Sequence, residues 1–490
     1  MREWPMAGGP AGNWTTNERG PVAWSVARGE GVVWRTELPE TGQSGIALHG
    51  GKLFLNTMRP LADTGSRKDG GDVVGRCHDA RTGRALWSVD LPATEESPYA
   101  YGFSDASSPT PVVDARAVWF VNAAGHIVCT DHAGRVRWRR RWAPTTGRPF
   151  NKQYEPILAA GALLNVEPRD PGDPLRERDP WNYLRAFDPQ TGAPLWVSED
   201  ALTHYNTPVL GRTGDGRPAV LMGRGGYHDV PEAPVGLTLT SLAPGEAGKA
   251  IWRYRAAGKA QYNMHWNARH AFWIDQDAAT HTLIDARDGK PLRTDRLDRA
   301  ATWRHWSDGK MVVERNVGFK ERGVTVFPAW FTNSVVGGYH WFLCFSNPEP
   351  AYGIGPCGPL HCVGRVHLGT GAVEYLELPT APGGAYGTNV PAGTVNARGI
   401  DVASDPRSRR DGWHWVFLGS PLVAAGRIYW TLQNGVTFVV DGNARVLDER
   451  AVLGVSDLGA LGATWSLGTP TISGGRMYHR TLRELLCIGR

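Results

Sequence analysis

Cysteine is scarce in this chain of 490 residues, which contains only six. That count is far below the density of a small secreted domain held together by disulfides. No run approaches the roughly 18 consecutive apolar residues of a membrane-spanning helix, so the sequence predicts no transmembrane segment. The opening residues, Met1 to Pro5, also lack the basic and apolar regions of a secretory leader. We therefore expect either a cytosolic protein or a mature form whose leader is absent from this sequence.

Charge of one sign is not in excess either. The 53 Lys and Arg residues nearly balance 48 Asp and Glu residues, which leaves a formal net charge of +5. That balance is too even to predict binding to nucleic acid or to an anionic membrane. The chain does contain 41% hydrophobic residues, 61 glycines and 35 prolines. This composition predicts a folded, turn-rich protein with ample material for a core.

A short repeat dominates the chain. Residues Cys77–Trp87 and Ala186–Trp196 share the pattern small-x-Asp-x-x-Thr-Gly-x-x-x-Trp, and Cys129–Trp138 is the same unit with a shorter turn. Weaker copies lie at 284–289, 366–375, 439–446 and 486–489. Because Asp and Gly favour a tight turn between two strands, each copy predicts a hairpin. The large Trp that follows is suited to sealing one sheet against the next.

A second signature precedes these copies and consists of two apolar strands introduced by proline. It is clearest at 110–120, 420–430 and 469–479. Each period therefore reads as a meander of four strands, and radial arrays of such sheets are β-propellers. The sequence predicts an all-β fold, a single eight-bladed β-propeller of four-stranded antiparallel blades that forms one domain over residues 1–490. The blades are expected near 44–90, 107–142, 154–198, 206–255, 262–296, 328–378, 415–450 and 466–490.

The last of these blades contains only three strands. An isolated strand with the pattern of a fourth strand occupies residues 32–38 near the N-terminus. We expect this strand to pair with the last blade and close the ring, which removes the exposed edges of an open array. Long insertions at 56–75, 167–181, 298–327 and 379–413 are expected to be loops, where functional residues usually lie on a rigid scaffold.

The Asp-x-x-Thr-Gly-x-x-x-Trp turn resembles the repeat of pyrroloquinoline-quinone (PQQ)-like β-propeller proteins. The opening Trp4-Pro5-x-x-Gly-Gly-Pro10, which leads to Val33-Trp34-Arg35-Thr36, resembles the same superfamily. That superfamily includes quinoprotein alcohol dehydrogenases and the outer-membrane-assembly propeller lipoprotein. Because its members are usually exported by bacteria, the resemblance implies a periplasmic or secreted location.

The resemblance also raises the question of a cofactor. Quinoprotein dehydrogenases of this superfamily hold PQQ between a tryptophan floor and a disulfide of adjacent cysteines, with calcium bound by carboxylate and amide oxygens. This chain has no adjacent cysteine pair, and its closest pair is Cys357 and Cys362. Glu155 and Asn206 are available oxygen donors, but they do not form a convincing calcium cluster. The cofactor therefore stays unassigned, PQQ with calcium is the less favoured alternative, and no metal site is predicted.

The cysteines divide by their positions in the repeat. Three of them share one register, which predicts small buried thiols on third strands: Cys77, Cys129 and Cys487. Cys344 lies in an apolar run and is expected to be buried in the same way. For Cys357 and Cys362, which flank His361 in an insertion rich in Gly and Pro, a disulfide, free thiols and a partial metal site all stay open.

The residues just before each inner strand are expected to ring one mouth of the central channel. In nearly every blade an aromatic residue stands beside a polar or ionisable one, and this combination suits a sugar with an apolar face and a polar rim. The alternative is that these side chains only fill the narrow end of the barrel. The candidate ligand-binding residues are Tyr101, Asp105, Lys152, Gln153, Asn206, Trp266, Asn267, Trp330, Asn333, Arg398, His414 and Trp465.

A smaller set carries the hypothesis of catalysis. The candidate catalytic residues are His204, Tyr205, His265, Tyr154 and Glu155. Histidine is a general base near neutral pH. A tyrosine, with Lys152 or Arg398 neutralising a carboxylate, would serve β-elimination on an acidic polysaccharide. Glu155 and Asp105 would instead form an acid–base pair for hydrolysis.

The sequence therefore favours binding of a carbohydrate or another polar small molecule in the funnel at one face of the ring. If the protein is an enzyme, we expect a lyase or hydrolase rather than a quinoprotein dehydrogenase. The alternatives are a dehydrogenase that uses PQQ and calcium, and a protein–protein scaffold. A scaffold would expose an apolar patch at a blade edge. The sequence does not set the oligomeric state.

Overall fold

The computed structural model of the chain describes residues 3–59, 71–94, 105–144, 154–168, 181–203, 207–226, 230–258, 264–329, 331, 333–345, 355–379, 419–433, 435–459, 465–482 and 484–490. These residues form β-strands, two 3-10 turns at Lys320–Arg322 and Glu449–Ala451, and no α-helix. Accordingly, no helix in this part of the chain is long and apolar enough to cross a membrane.

Eight antiparallel blades follow one another along the chain and form a β-propeller, as the repeat predicts. The first blade contains β3 (Ala47–His49), β4 (Lys52–Met58), β5 (Val73–Asp79) and β6 (Ala85–Leu91). The second contains β7 (Val112–Val113), β8 (Val118–Asn122), β9 (His126–Thr130) and β10 (Val136–Arg141). The third contains β11 (Ile157–Ala159), β12 (Ala162–Pro168), β13 (Asn182–Phe187) and β14 (Pro194–Ala201). The fourth contains β15 (Val209–Arg212), β16 (Pro218–Arg224), β17 (Gly236–Ser241) and β18 (Ala250–Arg255).

The remaining blades vary this plan. In the fifth, a single bridge between Trp266 and Ala271 replaces the inner strand, and the other strands are β19 (His270–Asp275), β20 (Thr280–Asp285) and β21 (Pro291–Arg296). The sixth contains β25 (Ser334–Val336), β26 (Tyr339–Leu343), β28 (Cys362–His367) and β29 (Val373–Glu377). Beside it β24 (Thr325–Val326) pairs with β27 (Cys357–Gly358). The seventh contains β30 (Leu422–Ala424), β31 (Arg427–Thr431), β32 (Val436–Asp441) and β33 (Val452–Asp457).

The eighth blade closes the ring with the isolated N-terminal strand, which confirms the prediction from the sequence. Its strands are β34 (Thr471–Ser473), β35 (Arg476–Arg480), β36 (Glu484–Ile488) and β2 (Val32–Glu37). Strand β2 pairs antiparallel with β36, so that Trp34 lies opposite Cys487. The guanidinium of Arg35 also pairs with the buried carboxylate of Glu484 at 2.9 Å. The N-terminal strand β2 and the last strand, β36, are thus joined through both backbone and side chains.

The repeated tryptophan joins each blade to the next one. The indole Nε1 of Trp87 donates to the backbone oxygen of His132 at 3.2 Å, and the ring lies on Gly134. A Cβ atom at Gly134 would come within 2.8 Å of that ring, and its φ of 86° also favours glycine. The same contact recurs between Trp34 and Gly83, Trp138 and Gly192, and Trp252 and Gly289. The repeated spacing of Gly and Trp therefore seals neighbouring blades.

The insertion at 298–327 differs from the expected loop. Strands β22 (Ala301–Ser307) and β23 (Lys310–Val317) form a hairpin there, and β22 adds in parallel to the outer strand of the sixth blade. The guanidinium of Arg304 pairs with Glu374 on that outer strand at 3.0 Å. The free edge of β29 therefore provides the template that turns this insertion into strands.

All six cysteines are buried and none is bonded to another. The three in the shared register lie on third strands as predicted: Cys77 on β5, Cys129 on β9 and Cys487 on β36. Cys344 is buried as expected. Cys357 and Cys362 are free thiols, and no cluster of metal-ligating side chains occurs in the described residues.

Candidate functional site

The N-terminal segment, residues 4–16, lies inside the central channel, where its backbone hydrogen-bonds to inner strands of several blades. Trp4 and Leu48 of the first blade exchange two backbone hydrogen bonds of 2.8 Å. The backbone oxygen of Pro5 then accepts a hydrogen bond of 2.8 Å from Val113 of the second blade. The segment thus begins by bridging two neighbouring blades.

The same segment continues across the channel to the fourth and seventh blades. The backbone oxygen of Gly12 accepts from Leu210 of the fourth blade at 3.1 Å. Strand β1 (Thr15–Thr16) pairs in parallel with β30 of the seventh blade. A tight turn makes this crossing, in which the backbone N–H of Trp14 donates to the oxygen of Gly8 at 2.8 Å. Only glycine fits at position 12, since its φ is 65° and a Cβ would come within 2.3 Å of Leu210. The segment therefore fills one end of the channel.

A cavity of about 100 Å³, which we call the axial cavity, lies against this segment. Two residues of the segment, Ala7 and Trp14, line it. Its remaining wall comes from the residues at the start of the inner strands in seven of the eight blades. They are Gln43, Gly45, Ile46, Ser108, Thr110, Tyr154, Glu155, Thr207, Phe331, Ser420, Leu467, Gly468, Thr469 and Thr471. The axial cavity thus combines aromatic surfaces with a wall rich in hydroxyl groups, and it has room for several water molecules.

The hydroxyl groups follow from a pair of residues repeated before the inner strands. A Ser or Thr followed by Pro occurs at 110–111, 207–208, 420–421 and 469–470, and each of these hydroxyl residues lines the axial cavity. Proline suits this place because the first residue of a strand need not donate to the ladder. In the third blade the pair is Glu155-Pro156. The register alone therefore indicates one carboxyl group among hydroxyls, a signal that the sequence analysis above did not use.

Glu155 is held by the neighbouring blades on both sides. Its carboxylate accepts hydrogen bonds from the backbone N–H of Thr110 at 2.6 Å and from the Thr110 hydroxyl at 3.1 Å. Its own N–H donates to the hydroxyl of Thr207 at 3.1 Å. The side chain is partly exposed, and the exposed part faces the axial cavity. These contacts fix the carboxyl group in one orientation at the cavity wall.

The protein surroundings change the ionisation of Glu155. Burial raises the pKa of this carboxyl to about 8, against the opposing effect of the two hydrogen bonds from Thr110. No cation among the described residues forms an ion pair with it. At pH 7 the carboxyl is therefore mostly protonated, and its O–H is a hydrogen-bond donor. A neutral donor in a hydroxyl-lined cavity is suited to an uncharged polar ligand.

The side chains of Tyr154 and His265 are both buried. Tyr154 lines the axial cavity, and burial raises the pKa of its phenol well above the usual range. His265 packs edge-on against Trp14, with ring centres 6.0 Å apart. Burial lowers the pKa of this imidazole to about 4, so it is neutral at pH 7. His265 thus contacts Trp14 but does not itself line the axial cavity that Tyr154 and Glu155 line.

Asp105 and Asn267 lie in turns, where they accept hydrogen bonds from the backbone. Asp105 accepts from the N–H of Ser107 at 2.8 Å and from its hydroxyl at 2.5 Å. Asn267 accepts from the N–H groups of Arg269 and His270 at 2.9 and 3.0 Å. Side chains of Asp and Asn commonly stabilise turns in this way. Neither residue lines the axial cavity.

Three further candidates contribute to packing between strands. The indole of Trp266 donates to the backbone oxygen of Val209 at 2.8 Å and so joins the fifth blade to the fourth. The side-chain oxygen of Asn333 contacts Nε2 of His340 at 3.0 Å. Trp465 is buried, and its backbone oxygen accepts from Leu482 at 3.0 Å. The other candidates, Tyr101, Lys152, Gln153, His204, Tyr205, Asn206, Trp330, Arg398 and His414, lie outside the described residues.

Comparison with protein families gives one match over the first part of the chain. The model of the family described as outer membrane protein assembly factor BamB, a PQQ-repeat family, matches residues 18–158 and 69–225. A comparison with curated protein sequences finds no significant match.

Solved structures give likeness over the whole chain. The quinohemoprotein alcohol dehydrogenase of Comamonas testosteroni matches with a TM-score of 0.54 and 12% identity, over 99% of this chain and 80% of that one. A europium-containing methanol dehydrogenase matches with a TM-score of 0.52 and 11% identity, over 100% of this chain and 98% of the other. At such identity these likenesses show the eight-bladed fold alone.

Proposed function

Since the chain is a PQQ-like β-propeller repeat protein, we propose that its axial cavity binds an uncharged, hydroxyl-bearing small molecule, such as the end of a carbohydrate. The observation that carries this proposal is the position of Glu155, a carboxyl held by Thr110 and Thr207 among hydroxyl groups from several blades. Trp14 supplies the aromatic surface on which an apolar sugar face packs. The ligand would be held from all sides by residues fixed on inner strands.

The cavity wall favours binding over glycoside hydrolysis. Hydrolysis of a glycosidic bond commonly uses two carboxyl groups on either side of the bond. The described residues of the axial cavity include a single carboxyl, Glu155, because Asp105 is engaged in its own turn. Tyr154 is a poor acid because its pKa is raised, and His265 does not line the axial cavity. We therefore propose a binding role for the described part of this site.

The described residues do not fit the cofactor of the quinoprotein dehydrogenases. The axial cavity is lined by the carboxyl of Glu155 and by no cationic side chain among the described residues, whereas PQQ is itself an anion. No group of three or more His, Cys, Asp or Glu side chains within the described residues is arranged to hold calcium.

A titration across pH tests the proposal. Neutral monosaccharides and disaccharides are titrated calorimetrically at pH 6, 7, 8 and 9. Because the protonated carboxyl donates to the ligand, affinity should fall as the pH rises through the Glu155 pKa of about 8. Glu155→Gln keeps a donor at every pH and should bind independently of pH. Glu155→Ala removes the donor and should weaken binding about tenfold, the equivalent of one hydrogen bond.

Asn267→Ala is the matched control, since Asn267 caps a turn outside the axial cavity. It should leave the affinity and its pH dependence unchanged. Absence of saccharide binding at millimolar concentration would contradict the proposal, as would an affinity that is equally pH-dependent in Glu155→Gln.

We also propose that the protein is exported by a bacterium and acts in the periplasm or outside the cell. The support is the family match to an outer membrane protein assembly factor. Cell fractionation of a tagged full-length gene product tests this proposal, and recovery in the cytosol with an intact N-terminus would contradict it.

A second candidate function, a scaffold for a protein partner, is favoured by the β22–β23 hairpin. Trp306 is 40% exposed and Val313 is 43% exposed, and both lie on one face of this hairpin. Exposed apolar residues at a blade edge are what a scaffold requires. Crosslinking in cells tests this role, and a Trp306→Ser/Val313→Ser variant should then lose its crosslinked partner while retaining saccharide binding.

A further inference from the structure

A second depression lies where three turns and one strand meet, and it shares no lining residue with the axial cavity. It measures about 730 Å³ and is open to solvent. The turn before β8, the β9–β10 turn and the β13–β14 turn form its sides, together with the start of β4. We call it the basic depression and define it by Lys52, Ala115, Arg116, Asp131, His132, Ala133, Arg135, Arg137 and Gln190.

Positive charge is concentrated in the basic depression. Its lining contains four cationic side chains and one carboxylate, Asp131, which leaves a formal charge of +3. The entire chain carries only +5. The Asp131 carboxylate is already occupied, because it pairs with the Arg135 guanidinium at 2.7 Å and accepts from the N–H of Ala133 at 2.8 Å. These contacts lower the pKa of Asp131 to about 2.

The other cations have no carboxylate partner within the described structure. Lys52, Arg116 and Arg137 form no ion pair there, and the ammonium of Lys52 donates to the backbone oxygen of His132 at 2.6 Å. That bond fixes the ammonium at the edge of the basic depression. Three uncompensated cations in one concave surface attract an anion.

The carboxylates of Asp114 and Asp188 in the adjoining turns form no ion pair with these cations, because they accept hydrogen bonds from backbone N–H groups of their own turns. Asp114 accepts from the N–H of Arg116 at 2.7 Å. Asp188 accepts from the N–H of Gln190 at 2.7 Å. Both turns thereby direct a carboxylate to the backbone while leaving the side chains of Arg116 and Gln190 exposed at the depression. In these turns the Asp carboxylate is therefore bonded to the backbone, while the cationic side chain of Arg116 stays exposed at the depression.

We propose that the basic depression binds the phosphate group of a small soluble phosphate ester. Arginine presents a planar fork of donors that matches phosphate oxygens, and lysine adds a point charge. The exposed side-chain amide of Gln190 supplies a neutral hydrogen-bonding group for the rest of the molecule. The volume of the depression, about 730 Å³, admits a phosphorylated sugar as well as free phosphate. This site is separate from the axial cavity and does not depend on the saccharide proposal.

Titrations at low ionic strength test this inference with inorganic phosphate and glucose 6-phosphate, and with glucose as the uncharged probe. The wild-type protein should bind both phosphates more tightly than glucose. Arg116→Gln/Arg137→Gln should weaken phosphate binding about tenfold, since two exposed charge contacts together contribute about 1.4 kcal/mol. Neither arginine has an ion-pair partner in the described residues, so the variant should fold normally.

The matched control is Arg81→Gln/Arg84→Gln, which removes the same charge from two exposed arginines in the β5–β6 turn of the first blade. It should change phosphate affinity less than twofold. Equal weakening by both double variants would overturn the proposal, because it would show attraction by net charge alone. Binding to vesicles of anionic phospholipid without binding to soluble phosphates would overturn it too. Glu155→Gln should leave phosphate binding unchanged, so a failure of the saccharide proposal is seen separately.

Discussion

The raised pKa of Glu155 has a direct consequence for the stability of the fold. The pKa is about 8 in the folded protein and about 4.5 when the carboxyl is in its ordinary environment. Between these values the folded state retains the proton that the unfolded state has lost. The stabilisation is therefore fully present below pH 4.5 and is lost as the pH rises to 8, by about 1.4 kcal/mol per pH unit. Above pH 8 the contribution is constant.

Glu155→Gln removes this titration while preserving the shape of the side chain and an oxygen that accepts from Thr110. We expect the free energy of unfolding of the wild type to fall by about 3 kcal/mol relative to the variant between pH 5 and pH 8. This figure is rounded down from the full shift because the carboxyl is partly exposed to the axial cavity. Urea denaturation of both proteins at half-unit pH intervals measures the difference.

Asn267→Ala is the control, since the Asn267 side chain does not titrate and accepts from the N–H of Arg269 at 2.9 Å outside the axial cavity. The free energy of unfolding of this control should differ from that of the wild type by an amount that does not change between pH 5 and pH 8. Parallel curves for wild type and Glu155→Gln would refute the reasoning, because they would mean that Glu155 ionises as it does in water.

Three further predictions concern the channel, the closure and the thiols. Trp14→Ala should destabilise the protein by about 3 to 5 kcal/mol, as expected for a buried Trp, and a comparable loss in the exposed control Trp306→Ala would contradict this. Arg35→Ala should cost about 2 kcal/mol by leaving Glu484 buried without its cation, whereas removing Arg28 from its exposed pair should have a smaller effect. Ellman's reagent at pH 8 should label no cysteine before unfolding and six after it, since burial raises the pKa of Cys77 and Cys129 to about 12. Labelling of the native protein would show that these thiols are accessible.

Most of the fold was predictable from the sequence because each copy of the repeat contains the residues that form its turn and its contact with the next blade. Gly134 and Trp87 occupy fixed positions in their repeats, and the structure places one on the other across two blades. The closing strand was predictable for the same reason, since it carries the Trp of a fourth strand without the rest of a blade. The bridge at Trp266, by contrast, was not predictable, because a missing inner strand leaves the flanking pattern unchanged.

Features without a repeat escaped prediction. The channel segment occurs once, and its hydrogen bonds join residues that are distant in sequence, such as Gly12 and Leu210. The β22–β23 hairpin likewise depends on the free edge of the sixth blade, which a local pattern does not reveal. The candidate site was predictable at Tyr154 and Glu155, which precede an inner strand. Trp14 was missed because nothing near it in sequence indicates that it reaches the channel.

The pairing of β2 with β36 also sets the order in which the molecule can be completed. Arg35 and Glu484 are separated by 449 residues, so the outer strand of the last blade leaves the ribosome long before its partner exists. Until then the edge of this strand has no partner strand. Contacts of such long sequence separation form late and slowly. We therefore expect the β2–β36 pairing to close the ring last. A chain that lacks only β36 would retain the other seven blades but could not join β2 to the eighth blade.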